Sequence, residues 1–347
     1  MNHIHARIEG RAGRITLTRP KALNALSPEM SIAMEKALLA WVDDPAVELV
    51  LVDAEGDRAF CAGGDIAEIY RQGQKGDYAF ARDFWRQEYQ MNALTGQYPK
   101  PYVTLAQGFI MGGGVGISGH GSHRVLCESS RVAMPECMIG LIPDVGGTAI
   151  LAEAPGHLGE YLGLTGHRMG PGEAIHAGFA DHYVPAEAWP DLAAALSASG
   201  DVARIADFEI EAPASSLAPL QAEIDAAFSA ANLTEIAARL EASDWGRETL
   251  ETLRKQCALS MACTLELIRA ARHEPGLAKA LAREFRCTWR CVSEGELLEG
   301  IRAAVIDKDR APRWTLTMAD ALDANVASML ADLGADELVL PEAEKNA

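Results

Sequence analysis

Apolar and polar positions change period repeatedly along the first half of the chain. Residues 6–18 alternate around a glycine-containing break, the pattern of a β-hairpin. The alternation stops at Arg19-Pro20-Lys21-Ala22-Leu23-Asn24-Ala25-Leu26. Ser27-Pro28-Glu29 then reads as a helix start, a serine cap with proline at the first helical position. Residues 30–42 carry apolar side chains at helical spacing, and 47–52 is a β-branched run suited to a buried strand. A helix around 84–89 and a strand over 101–106 follow. Strand, helix and strand in that order predict an α/β fold.

Further along, helices are predicted at 148–153, around Leu162 and at 172–178, with a short strand at 181–185 and a helix over 186–200. Beyond that point the chain is rich in alanine, leucine and glutamate. Helical periodicity recurs at 217–228, 233–240, 245–254, 257–271, 277–293 and 319–333. This change divides the chain into a core over 1–200 and a helical C-terminal region over 201–347, joined at 201–216. The tail 341–347 is expected to fray.

Composition narrows the function classes. A length of 347 residues suits one large domain or two smaller ones, and 49% hydrophobic with 23% charged residues builds an ordinary core. A formal charge of −18 argues against nucleic acid as a partner, since phosphate binding needs clustered lysine and arginine. No apolar run reaches the roughly 18 residues of a membrane span, and the start lacks the basic and apolar parts of a signal peptide. The reading is a cytoplasmic protein away from membranes. Seven cysteines without an export signal are expected as buried free thiols rather than disulfides. Cys287 and Cys291 have no second ligand pair nearby, so no metal is expected.

Candidate chemistry concentrates in residues 106–147. Five glycines fall within nine residues (108, 112, 113, 114 and 116), and two carboxylates, Glu136 and Asp144, follow eight residues apart in an apolar run. Bare backbone offers N–H groups to an anion, and a carboxylate in apolar surroundings can act as base or nucleophile. The pairing points to an enzyme. Gly114 to Gly119 matches the spacing of a dinucleotide loop, but 120–124 lack the apolar helical stripe such a loop needs. His120 and His123 read as polar surface. Upstream, Gly63-Gly64-Asp65 sets two glycines before a helix that Asp65 would cap, an anion-stabilising arrangement or simply a tight turn. Taken alone, Glu88 reads as a solvated helix carboxylate and Asp144 as the cap of a helix at 145–154.

Together these segments resemble the crotonase (enoyl-CoA hydratase/isomerase) superfamily over nearly the whole chain. The shared parts are 23–26, Phe60-Cys61-Ala62-Gly63-Gly64-Asp65-Ile66 and Met111-Gly112-Gly113-Gly114. A hydrolase-like branch is marked by 115–118 with His120-Gly121, by Met134-Pro135-Glu136 through Asp144-Val145-Gly146-Gly147, and by 299–303 with 306–309 and 312–314. The resemblance implies a spiral of ββα units that binds an acyl-CoA. It assigns the oxyanion donors to the Gly64 and Gly113 N–H groups, and the acid positions to Glu136 and Asp144. Glu88 and Gly63 become substrate contacts, and Lys21 with Ala22 lies where the CoA adenine passes. Classical hydratases place a second catalytic glutamate where this chain has Gly116, and a glycine where it has Asp144. The implied activity is therefore thioester hydrolysis, of 3-hydroxyisobutyryl-CoA in valine catabolism, with no cofactor beyond the CoA of the substrate. An enoyl-CoA hydratase/isomerase and a non-catalytic acyl-CoA-binding scaffold are the alternatives. Self-association through the helical C-terminal region is a further expectation.

Overall fold

The computed structural model describes residues 3–320 and 323–340. The expected fraying of 341–347, and residues 321 and 322 of the last expected helix, lie outside the described residues.

The N-terminal hairpin forms as expected. Strands β1 (Ile4–Glu9) and β2 (Ala12–Leu17) pair antiparallel, with Gly10 in the left-handed region at the turn. Helix α1 (Pro28–Trp41) follows, with the Ser27 hydroxyl accepting from the Met30 N–H. From here the chain alternates between two sheets. β3 (Leu49–Ala54), β5 (Tyr102–Ala106), β7 (His123–Leu126) and β9 (His182–Tyr183) extend the first sheet in the order β1-β2-β3-β5-β7-β9. β4 (Ala59–Cys61), β6 (Phe109–Met111) and β8 (Arg131–Ala133) form a second, parallel sheet. Each turn of the chain adds one strand to each sheet and then a helix. That is a spiral of ββα units.

Burial on both faces of the larger sheet explains the unbroken apolar run at 47–52. Leu49 and Leu51 face a cluster with Val103, Leu105 and Leu196, whereas Val50 and Val52 face the main core. The helices between the strands are α2 (Ile66–Gly73), α3 (Ala79–Gly96) and the short α4 (Gly113–Ser118). After β8 come α5 (Gly147–Glu153), α6 (Leu158–Thr165), α7 (Pro171–His176) and α8 (Trp189–Ser199).

The later part is helical, with α9 (Gln221–Phe228), α10 (Leu233–Leu240), α11 (Asp244–Leu253), α12 (Ala258–His273) and α13 (Leu277–Cys291), then α14 (Leu297–Ile301) and α15 (Asp323–Leu330). Its buried side chains, among them Leu259, Ile268, Leu281 and Phe285, join the same apolar cluster as Phe60, Tyr89 and Ile142. All seven cysteines are buried and free. Among the described residues no helix is long and apolar enough to cross a membrane, and no group of three or more His, Cys, Asp or Glu is arranged to hold a metal ion.

Candidate active site

The three strands of the small sheet end side by side. β4 runs into Ala62-Gly63-Gly64, β6 into Gly112-Gly113, and β8 into Met134-Pro135-Glu136. Cys61 pairs with Ile110 and Ile110 with Val132, so Gly64 and Gly113 both stand three residues past paired positions. Crevices at the carboxyl ends of parallel strands are where α/β folds bind ligands.

Gly63 (φ +107°) and Gly112 (φ +49°) occupy the left-handed region that a Cβ disfavours. Each immediately precedes an expected oxyanion donor. Among the described residues, neither the Gly64 nor the Gly113 N–H has an acceptor. A Cβ placed on Gly113 would lie 3.5 Å from the Gly64 nitrogen and 2.7 Å from Glu88 Oε1. Two free amides and a carboxylate thus meet at one spot. They line a cavity of about 180 Å³ with Glu136 and Asp144, walled by Phe84, Trp85, Met138 and Leu141.

The carboxylates there are not solvated. Glu88, Glu136 and Asp144 are 3%, 5% and 4% exposed. Glu88 Oε1 and Glu136 Oε2 have no hydrogen-bond partner among the described residues, which is uncommon for buried oxygens. Burial, and then the Asp144 charge, push Glu88 and Glu136 well above the usual carboxylate range. Asp144 is pushed up to about 7 by burial, against the opposing pull of Tyr89, whose hydroxyl donates to its Oδ2 at 2.8 Å.

Glu88 owes its burial to α3. Tyr89 comes from the same turn and contacts Phe285 edge-on at 6.0 Å between ring centroids. The packing of α3 against α13 turns Glu88 and Tyr89 inward. The solvated reading of Glu88 as a lone helix residue therefore fails.

Asp144 does not cap a helix either. The N-cap of α5 is Gly146, and the acceptor for its free amides is the distant Glu284 on α13. His120 departs from its surface expectation too. Its ring nitrogen lies 2.6 Å from the Val145 carbonyl, an acceptor, so that nitrogen carries the proton. Burial lowers the His120 pKa to about 4, which keeps the ring neutral. Asp65 occupies the N-cap of α2 without a capping bond and pairs with Arg19 at 2.7 Å instead.

Lys21 and Ala22 lie outside the cavity, on a single helical turn (Pro20–Ala22). A separate cleft of about 200 Å³ joins Lys21 to Arg58 and Ala59. Leu23, next to Ala22, accepts from the Ala62 N–H at 3.1 Å, so this turn borders the mouth of the site. Asn24 fixes it, donating to the Glu55 and Ala59 carbonyls at 3.0 and 2.9 Å.

At Gly116 a Cβ would meet Asn92 Nδ2 and Val145 Cβ, each at 2.8 Å. Side chains from α3 and the α5 approach already fill the space. Gly116→Ala is expected to lower the unfolding free energy by roughly 1–3 kcal/mol, the usual cost of overpacking, read from the denaturant midpoint. An unchanged midpoint would mean that this space is open.

Sequence reasoning missed Tyr89, Asn92, Glu284 and the inward role of His120. Asn92 could have been found from Glu88, since it lies four residues on along the same helix face, whereas Tyr89, one residue on, points to another side of the helix and is not flagged that way. Glu284 carries no such signal.

The chain matches the model of the enoyl-CoA hydratase/isomerase family over residues 12–330. It belongs to that family. A family relative from Xenopus tropicalis is 37% identical over 345 residues, covering 95% of this chain and 89% of its own, and is named 3-hydroxyisobutyryl-CoA hydrolase, mitochondrial. One from Homo sapiens with the same name is 36% identical over 319 residues, covering 88% and 82%. Among solved structures, one described as an enoyl-CoA hydratase from Rhodobacter sphaeroides 2.4.1 is 52% identical, with a TM-score of 0.94 over 98% of this chain and 100% of that one. Another, described as a carnitinyl-CoA dehydratase from Mycobacterium thermoresistibile, is 38% identical with a TM-score of 0.94, covering 99% and 100%.

These names correct the expected location. The Xenopus and human relatives are named mitochondrial, which overturns the cytoplasmic expectation. That expectation was drawn from absences, and an absence does not distinguish the cytoplasm from the interior of an organelle.

Proposed function

We propose that the chain hydrolyses an acyl-CoA thioester, with 3-hydroxyisobutyryl-CoA as substrate. The observation that carries this reading is the exchange at two positions. Asn92 and Val145 fill the space at Gly116 where a second hydratase glutamate would project, and a buried, Tyr89-bonded Asp144 faces the site from elsewhere. The names of the Xenopus and human relatives support the substrate.

In this reading the thioester oxygen sits between the Gly64 and Gly113 amides, whose alignment favours the oxyanion over the ground-state carbonyl. Glu136 delivers oxygen to the carbonyl carbon, either by taking a proton from water or by direct attack to give an anhydride that water then opens. The C–S bond breaks, and the CoA sulfur leaves with its electron pair. Asp144, with a pKa near neutrality, returns a proton to that sulfur through Oδ1 while Tyr89 holds Oδ2. Glu88 takes the substrate hydroxyl, and Gly63, Lys21 and Ala22 border the path of the CoA. CoA enters with the substrate, so the reaction as written needs no other cofactor.

The hydratase description of the Rhodobacter structure is the competing reading. A direct comparison separates the two. Free thiol should appear from 3-hydroxyisobutyryl-CoA much faster than crotonyl-CoA loses its enoyl absorbance. A hydration rate above the hydrolysis rate would overturn the proposal, and tight CoA binding without turnover would favour a non-catalytic scaffold.

A further inference from the structure

Glu284 is fully buried on α13, more than a hundred residues along the chain from the segment it touches. It accepts from the Gly146 N–H at 2.7 Å, from the Thr148 N–H at 3.0 Å and from the Thr148 hydroxyl. These are donors at the start of α5, where a local Ser, Asp or Asn cap is missing and Gly146 stands instead. The segment it grips is unusual. Val145, β-branched, sits at φ +53° between Asp144 and Gly146. Such a conformation persists only where the surroundings over-determine it. His120 holds the carbonyl of Val145, Gly116 and Asn92 flank its side chain, and Glu284 takes the next amide.

The same helix also backs the partner of Asp144. Thr288, one turn beyond Glu284, has its hydroxyl oxygen 3.5 Å from the Tyr89 hydroxyl, and Phe285 packs against the Tyr89 ring. One face of α13 therefore fixes both the connection that carries Asp144 and the tyrosine that orients it.

We propose that Glu284 is a positioning residue for thioester cleavage, clamping the 144–148 connection so that Asp144 stays on Tyr89 and faces Glu136. This rests on the hydrolase reading above. Glu284 touches no part of the cavity, so it acts through that connection and through its charge. The charge matters because Glu136 feels three other acids: Asp144 on the connection before α5 and Glu88 on α3, both lining the same cavity, and Glu284 on α13 behind it. Glu284 is among the negative charges that oppose ionisation of Glu136.

The test is Glu284→Gln, which keeps the size but removes the charge and one acceptor. Amide exchange at Gly146 and Thr148 should accelerate at least about tenfold through local opening. Thiol release should lose about 10- to 100-fold in kcat, the scale of a remote misplacement, with KM little changed. Burial raises Glu284 itself to about 7, so from that pH upward its charge opposes Glu136 ionisation, and without it the acid limb of kcat/KM should move to lower pH. A carboxylate that only stabilised the fold would lower the denaturant midpoint without lowering kcat of the folded enzyme. Should this variant fail to fold, Thr148→Val removes a single donor and should give the same exchange and kcat changes, smaller in size. Unchanged exchange, or faster exchange with kcat and the acid limb both unmoved, would overturn the proposal. A wild-type chain that releases no thiol defeats the hydrolase reading instead, while the exchange measurement still decides whether Glu284 clamps the connection.

Discussion

Glu136→Gln should cut thiol release from 3-hydroxyisobutyryl-CoA by about 10²- to 10⁴-fold, the usual worth of a positioned acid–base group. Asp144→Asn should cost a similar factor. The chain should stay folded in both cases, because each substitution keeps the shape of a buried side chain while removing a charge that burial makes costly to form. The pH profile gives an independent readout. Glu136 works ionised, so activity rises as pH climbs through its elevated pKa. Asp144 works protonated, so activity falls as pH passes about 7. The alkaline limb should therefore vanish in Asp144→Asn. Wild-type rates from both variants would sink the assignment. A normal rate from Asp144→Asn alone would leave Glu136 as the sole acid–base group, the hydratase or isomerase arrangement.

A second large effect is expected at Glu88, and it should be selective. Glu88→Ala should cost on the order of 1.5–3 kcal/mol of transition-state stabilisation on a 3-hydroxyacyl-CoA, the worth of a hydrogen bond to a charged group. That is roughly 10- to 150-fold in kcat/KM. An acyl-CoA of equal length without the hydroxyl should react as well as before or better, because Glu88 Oε1 has no partner of its own to lose. Equal losses on both substrates would mean that Glu88 only holds α3 in place. No loss on either would remove it from the site.

Much of the fold was legible because local signals agreed with tertiary demands. The hairpin, the serine-capped α1 and the doubly buried β3 each declared themselves through period or capping chemistry. The spiral was not read from period. Strands of three residues, such as β4, β6 and β8, are too short to show alternation, and their pairing links positions about 50 and 20 residues apart. It was the resemblance that implied it. Within the site, Gly63, Gly64, Gly113, Glu88, Glu136 and Asp144 come together in one cavity. Asp144 shows where isolated reading misleads. A carboxylate after proline and ahead of a helix has the composition of a cap, and only the Glu284 bonds, made from far along the chain, reveal that the cap is supplied elsewhere. Glu284 itself sits in an amphipathic helix rich in charge, where sequence gives no way to tell an inward carboxylate from an outward one.

The crowding of buried acids around the cavity also bears on what happens after the bond breaks. The thioester is uncharged at its reacting end, so Glu88, Glu136 and Asp144 do not repel it on arrival. Hydrolysis turns that end into a carboxylic acid, which ionises readily in water but not in this cavity, where the burial that raises Glu88 and Glu136 opposes a further negative charge. Among the described residues, no cation lines this cavity to hold it. The chemistry thus converts a tolerated guest into an expelled one. Product departure is favoured because the ionised acid is better solvated outside, and the free acid should be a poor inhibitor, since binding it would bury an unpaired charge.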